Sequence, residues 1–179
     1  MALAPGNVVP RLRGAFGQPY LYAAETPSTQ QLMPPDAPHG AVAVAEHQTA
    51  GRGRLGRIWV DEPGTGLAIS VMLRPSLPLA LWPQLTRVAA HAVAAAIGDT
   101  AHVKYPNDVL VAGRKVAGIL AEADEAVILG IGVNVGRAPW PGAGFVERER
   151  AELLVEILAE LEREYEAWLE LAAVRGDLT

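Results

Sequence analysis

Two lysines stand out as candidates for chemistry. Lys104 and Lys115 are the only lysines among the fifteen basic residues, so arginine is the usual cation of this chain. A lysine presents a compact ammonium group on a flexible stem, which the planar arginine side chain cannot imitate. We therefore expect the segment with both lysines to need a point charge, with chance placement as the plainer alternative. Lys104 receives no role, because a surface lysine that closes a strand would look the same.

The loop from Gln48 to Arg57 could hold an anion. It contains three glycines and three arginines, namely Gly51, Arg52, Gly53, Arg54, Gly56 and Arg57. Glycines let backbone N–H groups approach a ligand closely, and the arginines can neutralise a carboxylate and phosphates together. The glycines also favour a loop that moves to close over its ligand. The alternative is a solvated basic turn.

The same loop fits the dinucleotide-binding pattern G-x-G-x-x-G, but its context argues against that function. The pattern requires a helix that opens at the third glycine and an acidic residue about twenty positions later. Here Gly56 is followed by Arg57 to Val60 and then by Pro63-Gly64, which predicts no helix. The region of Arg74 offers no acidic residue. We therefore reject a Rossmann site.

The elements that must position these residues predict an α+β domain. Apolar residues recur at helical spacing from Leu79 to Ile97 and from Glu147 to about Leu171. A short helix is predicted from Ser28 or Thr29 to Met33. Strands are predicted at Tyr20 to Ala24, Ala41 to Glu46, Leu67 to Arg74, His102 to Tyr105, Val109 to Val111, Lys115 to Ala121 and Val127 to Val135. This order predicts a mixed, largely antiparallel sheet whose last four strands are joined by hairpins.

Composition and charge exclude several other classes of function. The 179 residues, half of them hydrophobic, predict an irregular arm over residues 1–18 and one compact domain over residues 19–179. The sequence has no apolar run of about 18 residues and no signal peptide, so we expect a cytoplasmic protein with no membrane partner. The absence of cysteine excludes disulfides and thiolate metal sites. A net charge of −5 is not that of a polybasic nucleic-acid binder, so we expect no DNA partner.

Four segments, in this order, resemble the signatures of biotin protein ligases. They are Glu25-Thr26-Pro27-Ser28-Thr29-Gln30, the loop Gly51 to Arg57, Lys104-Tyr105-Pro106-Asn107-Asp108 with the strand Lys115 to Leu120, and Gly130 to Val135. The resemblance implies a fold like that of the class II aminoacyl-tRNA synthetases, with residues 19–179 as the catalytic domain. It also implies an enzyme that adenylates biotin with ATP and then transfers the biotin to a lysine of a carrier protein.

The resemblance implies a role for each of several residues. It implies that biotin is bound by Ser28, Thr29, Gln48, Gly51, Arg52, Lys115, Gly118 and Gly132. It implies that the nucleotide is bound by Arg52, Arg54, Arg57, Trp59, Asn107 and Asn134. The catalytic residues would be Lys115, Arg54 and Asp108. Structural roles stay open for four of these residues: a helix cap for Ser28 or Thr29, a turn for Asp108 and a strand-end hydrogen bond for Asn134.

The implied substrates are biotin and ATP with Mg²⁺, with no permanent cofactor and no resident metal ion. Acyl-adenylate formation brings a carboxylate against the α-phosphate, so arginine, lysine and Mg²⁺ are the groups expected to cancel the repulsion. The implied partner is a biotin carboxyl carrier protein, which supplies the acceptor lysine. A homodimer is a further expectation, because several relatives dimerise through their sheets.

The chain departs from the family pattern at three positions. Gln30 stands where asparagine is usual, Leu55 replaces the middle arginine of the loop, and Tyr105 replaces tryptophan. We expect neither an N-terminal DNA-binding winged helix nor the small C-terminal β-barrel within these 179 residues, which puts full ligase activity in doubt. Two alternatives follow. One is a lipoate or octanoate ligase or transferase, against which the arginine loop argues, and the other is a catalytically weak biotin-binding module.

Overall fold

The sheet has seven strands. The computed structural model describes residues 2–176, and its strands are β1 Tyr20–Thr26, β2 Val42–Gln48, β3 Leu67–Leu73, β4 Ala101–Lys104, β5 Asp108–Val111, β6 Arg114–Ala123 and β7 Val127–Val133. Their order across the sheet is β1-β2-β3-β7-β6-β5-β4. Only β1 and β2 run parallel among the paired strands of residues 2–176. The predicted α+β architecture with a largely antiparallel sheet is confirmed.

Two long helices cover one face of the sheet. They are α3, Leu85–Ile97, and α4, Arg150–Gly176, and their apolar sides form the main core with the valine, leucine and isoleucine side chains of the strands. A 3₁₀ segment, Leu79–Gln84, precedes α3 where one continuous helix was predicted. Pro83 explains the difference, because proline has no backbone N–H and disfavours an α-helical residue before it.

The start of α4 is fixed by a side-chain cap. The carboxylate of Glu149 accepts hydrogen bonds from the backbone N–H groups of Ala151 at 3.0 Å and Glu152 at 2.7 Å. These amides have no partner inside the helix, so the acceptor stabilises the helix end. The helix therefore begins at Arg150 rather than at Glu147, where the apolar pattern placed it.

The opposite face of the sheet is only partly covered. The short helix α2, Thr29–Leu32, and the segment after it pack a small second cluster of Met33, Ala37, Ala41, Ala43 and Met72. Gln30 of α2 reaches as far as Gly130 on β7, and beyond it Gly118 and Gly132 line a cavity rather than the second cluster. The sheet therefore has an open surface beside α2, and the candidate site lies there.

Residues 2–18 contain regular structure, whereas an irregular arm was predicted over residues 1–18. Residues Pro5–Val8 form the helix α1, and Val9–Arg11 continue as a 3₁₀ turn. The side chains of Leu3, Val8 and Phe16 are buried in the main core. This burial explains the order, because each apolar side chain removed from water stabilises the segment that carries it. The domain boundary at residue 18 stays a prediction.

Within residues 2–176, none of the helices combines the length and the apolar character that a membrane span requires.

Candidate functional site

A cavity of about 490 Å³ opens between α2, the glycine-bearing ends of β6 and β7, and the loop that follows β2. Most of the residues that the sequence analysis assigned to a site line this cavity. They are Ser28, Thr29, Gln48, Arg52, Arg54, Arg57, Trp59, Asn107, Asp108, Lys115, Gly118 and Gly132. Four segments far apart in the chain thus converge on one space.

One end of the cavity is a network of small polar groups. The Gln48 side-chain oxygen Oε1 accepts hydrogen bonds from the Thr29 backbone N–H at 2.8 Å and from the Thr29 hydroxyl at 3.2 Å. The same hydroxyl lies 2.8 Å from the Ser70 Oγ atom. Ser28 caps α2, because its Oγ atom accepts a hydrogen bond from the Gln30 backbone N–H at 3.2 Å. Within residues 2–176 the Gln48 Nε2 group has no hydrogen-bond partner, so it is free to donate to a ligand carbonyl.

The arginine loop is folded as an irregular hairpin. The Trp59 N–H donates to the Gly51 carbonyl at 3.0 Å, and the Gly53 N–H donates to the Arg57 carbonyl at 2.8 Å. The hairpin turns at Leu55, whose φ of 57° lies in the left-handed region and whose side chain is 88% exposed. A leucine in that conformation is strained, because its Cβ atom crowds the backbone. The turn therefore holds its shape through the hydrogen bonds that flank it.

The ring of Trp59 lies on a floor made of two glycines. Gly118 and Gly132 are register partners on β6 and β7. A Cβ atom added to Gly132 would lie 2.4 Å from the Trp59 ring, and one added to Gly118 would lie 3.2 Å from it. Carbon atoms in contact are usually about 3.5–4.0 Å apart, so any side chain at Gly132 would displace the ring. The glycines thus allow the tryptophan to approach the sheet backbone.

The other end of the cavity carries cations held by polar partners. The Lys115 ammonium lies 2.8 Å from a carboxylate oxygen of Asp108 and 5.8 Å from the centre of the Trp59 ring. Arg54 donates to the side-chain oxygen of Asn107 at 3.1 Å. Arg52 donates to Glu122 at 2.7 Å and also reaches α2, where it donates to the side-chain oxygen of Gln30 at 3.3 Å. Arg57 also lines the cavity, so the lining holds four cations and one carboxylate, Asp108, with Glu122 beside it. This net positive charge suits an anionic ligand.

Two of the proposed site residues, Gly51 and Asn134, are not among the residues that line the cavity. Asn134 is buried, and its side-chain amide donates to the carbonyls of Gly144 at 2.9 Å and Lys115 at 3.4 Å. It therefore braces the backbone of Lys115 from behind. Gly51 lies where a Cβ atom would be 2.5 Å from the Trp59 carbonyl, so only glycine fits the base of the hairpin.

Sequence reasoning missed three polar residues beside the site. Ser70 is fully buried and completes the network of Thr29, and it is the one polar residue in the apolar strand Leu67–Leu73. Glu122 pairs with Arg52, and Asp61 binds the backbone of Gln48. The position of Ser70 in an otherwise apolar strand could have indicated a polar site. No sequence pattern marks Glu122 or Asp61, because their partners are distant in the sequence.

No group of three histidine, aspartate or glutamate side chains within residues 2–176 is arranged to hold a metal ion.

Comparison with known proteins identifies the family. Residues 22–135 match the model of the biotin/lipoate A/B protein ligase family, so the chain belongs to that family. It is 44% identical over 138 residues to the bifunctional ligase/repressor BirA of Bacillus subtilis, a match that covers 69% of this chain and 42% of that protein. It is 39% identical over 147 residues to the biotin–[acetyl-CoA-carboxylase] ligase of Mycobacterium tuberculosis, covering 72% of this chain and 55% of that one.

The fold has solved counterparts. A biotin protein ligase from Aquifex aeolicus, solved in complex with biotin and ATP, superposes with a TM-score of 0.74 at 30% sequence identity. That match covers 84% of this chain and 71% of the other. The expected fold of the biotin protein ligase type is therefore confirmed. The chain spans about half the length of the curated relatives it matches.

Proposed function

We propose that this chain activates biotin with ATP to give biotinyl-5′-AMP, and then transfers the biotinyl group to a lysine of a biotin carboxyl carrier protein. The observation that carries the proposal is the division of one cavity into a neutral polar end, at Thr29 and Gln48, and a cationic end, at Lys115 and Arg54. Biotin has the matching division, with an uncharged ureido ring at one end and a carboxylate at the other.

The neutral end suits the ureido ring. A ureido group offers one carbonyl acceptor and two N–H donors, and Ser28, Thr29 and Gln48 supply hydroxyl and amide groups of both kinds. The Trp59 ring, which Gly118 and Gly132 allow to lie close to the sheet, gives the ring system of biotin an apolar face to pack against. Specificity then comes from hydrogen bonds that an analogue without the ureido group would leave unmade.

The cationic end suits the first reaction step. An oxygen of the biotin carboxylate attacks the α-phosphorus of ATP, the bond to the β-phosphate breaks, and pyrophosphate leaves. Both reactants are anions, so Lys115, Arg54 and Arg52 lower the repulsion and stabilise the charge on the phosphorus oxygens. We assign Arg57, Trp59 and Asn107 to the nucleotide because they line the same cavity as these cations, and Asn107 accepts a hydrogen bond from Arg54. Asn134 would act through the Lys115 backbone that it braces.

Asp108 has a place in both steps. Its carboxylate holds the Lys115 ammonium at 2.8 Å, which keeps that cation oriented for the phosphate. In the second step the neutral amine of the carrier lysine attacks the acyl carbon, and AMP leaves with the pair of electrons from the broken bond. An amine loses a proton as it becomes an amide, and Asp108 is the carboxylate of the cavity lining that could accept that proton or orient the amine.

The proposal includes Mg²⁺ as part of the ATP complex. Magnesium usually keeps several waters and binds substrate phosphates with one or two carboxylates, so it needs no dedicated protein cage. The proposal also places the reaction in the cytoplasm, with the carrier protein as partner and without DNA. A homodimer is part of the proposal, and light scattering on the purified chain tests it.

The experiment uses ligand choice and product mass. We expect biotin to raise the thermal midpoint of the purified chain, lipoate to leave it unchanged, and biotin with ATP·Mg²⁺ to raise it most, because the adenylate contacts both ends of the cavity. Mass spectrometry should then detect biotinyl-5′-AMP and a carrier domain heavier by one biotinyl group. A rise in the thermal midpoint with lipoate and not with biotin would instead indicate a lipoate ligase or transferase. If the chain binds biotin but forms neither product, the result would support the alternative of a biotin-binding module.

A further inference from the structure

A carboxylate outside the cavity joins the two ends of the arginine loop. Asp61 follows the loop of residues 49–60, and both of its carboxylate oxygens accept hydrogen bonds from the backbone N–H of Gln48 at 3.2 Å. One of these oxygens lies 2.8 Å from the Nδ1 atom of His47. The Asp61 side chain is only 9% exposed, and it is not part of the cavity lining.

The position of Asp61 follows from the end of the β2–β3 pairing. The last register pair is Ala45 with Ala68, so β3 offers no carbonyl opposite the Gln48 amide. A buried amide without a partner costs free energy, and a carboxylate is a stronger acceptor than a carbonyl. Burial raises the pKa of Asp61, while the hydrogen bonds from Gln48 and His47 act in the opposite direction. The two donors thus offset part of the cost of burying this carboxylate, and its pKa stays above the usual value.

Gln48 links Asp61 to the site. Its backbone N–H is held by Asp61, and its side-chain oxygen accepts the two hydrogen bonds from Thr29 inside the cavity. The other end of the loop is tied by the same carboxylate, two residues beyond Trp59, whose ring covers the glycine floor. A single side chain therefore fixes both the strand end that carries Gln48 and the base of the hairpin that carries the arginines.

We propose that Asp61, oriented by His47, is a positioning residue that keeps the loop of residues 49–60 closed over the cavity. It also holds the Gln48 side chain in the position from which it can bind a ligand. Asp61 touches no reacting atom and acts only through the loop and Gln48. The part of this inference that concerns biotin rests on the proposed function, whereas the closure of the loop does not.

The first test needs no ligand. Trypsin cleaves after arginine, and the loop contains Arg52, Arg54 and Arg57, so the rate of cleavage there reports how often the loop opens. We expect Asp61→Ala to raise that rate about ten-fold, the order expected for losing one hydrogen bond to a charged group. Asp61→Asn keeps an acceptor oxygen and should restore most of the protection.

The matched control is the neighbouring acid, Glu62. Its side chain is exposed and pairs with Arg137 at the surface, so Glu62→Ala removes one carboxylate without touching the base of the loop. We expect its tryptic pattern and its ligand affinities to match those of the parent chain.

The second test separates positioning from general stability. Calorimetric titration of Asp61→Ala should show biotin binding weakened about ten-fold or more. ATP·Mg²⁺ binding should weaken as well, because the same loop carries Arg52, Arg54 and Arg57. Asp61→Asn should recover most of both affinities. Equal cleavage rates in the parent and Asp61→Ala would overturn the inference. So would cleavage that also accelerates outside the loop, for example after Arg87 in α3, because that result would show a general loss of stability. If the parent binds no biotin, the proposed function fails, while the cleavage pattern still decides the role of Asp61.

Discussion

Replacing Lys115 with alanine should abolish most of the adenylation rate and leave the fold almost unchanged. The ammonium lies 2.8 Å from Asp108, but its side chain is 33% exposed, so solvent screens the pair and its loss should cost less than about 1 kcal/mol of stability. The same cation faces the space where a carboxylate must meet a phosphate. Removing one preorganised charge from such a site usually lowers the rate about 10²–10³-fold.

The other lysine provides the matched control. Lys104 ends β4 and is exposed, and it is not part of the cavity lining, so Lys104→Ala removes the same chemical group from the surface. The assay is the initial rate of biotinyl-5′-AMP formation at saturating biotin and ATP, with the thermal midpoint measured in parallel. The reasoning is wrong if Lys115→Ala keeps a rate within about three-fold of the parent, well short of the expected loss. It is also wrong if Lys104→Ala loses as much as Lys115→Ala.

Three further predictions concern neighbouring parts of the structure. Arg54→Ala removes the hydrogen bond to Asn107, and the adenylate should dissociate about ten-fold faster in a rapid-dilution assay, with the thermal midpoint unchanged. Gly132→Ala should push the Trp59 ring off the floor, which a red-shifted fluorescence and weaker biotin binding would show. The third prediction concerns the stability of the fold and not the cavity. Arg150 forms a buried ion pair with Glu46. Burial tends to raise the pKa of Glu46, but the hydrogen bonds from Arg150 and Leu3 outweigh it and hold the pKa below its usual value of 4.5. The pair therefore stabilises the fold fully above pH 4.5, and this contribution is lost as the pH falls from there through the lowered pKa. Urea unfolding of Arg150→Met should therefore show a loss of about 3 kcal/mol at pH 7 and a smaller loss near pH 4.

The elements of the fold were predictable because their patterns are local. Helical spacing of apolar residues placed α3, and alternating β-rich runs between turn residues placed the four strands from β4 to β7. The pairing of β7 with β3 was not predictable, because that register depends on contacts between residues far apart in the chain. The same reason applies to Leu3, Val8 and Phe16, which are too widely spaced for any periodicity to mark them as core.

The candidate site was predictable as a set of residues but not as a geometry. Four short segments indicated which residues belong together, and the structure places nearly all of them around one cavity. The hydrogen bonds between them had no sequence pattern. The contact of Arg52 with Glu122 joins residues seventy positions apart, and it forms only because β6 passes beside the loop. Side-chain partners of this kind are set by tertiary packing.

Trp59 illustrates what the sequence motifs could and could not predict about the site. The family resemblance assigned Trp59 to the nucleotide and Gly118 and Gly132 to biotin, with each residue in a different segment. The structure gives them a common reason: the register of β6 with β7 sets the two glycines side by side, and the missing side chains leave room for the indole ring. A β-carbon at either glycine would close that room. The small size of these two residues is therefore a requirement of the loop that packs on them, and a substitution at Gly132 should disturb the arginines of the hairpin as much as the floor itself.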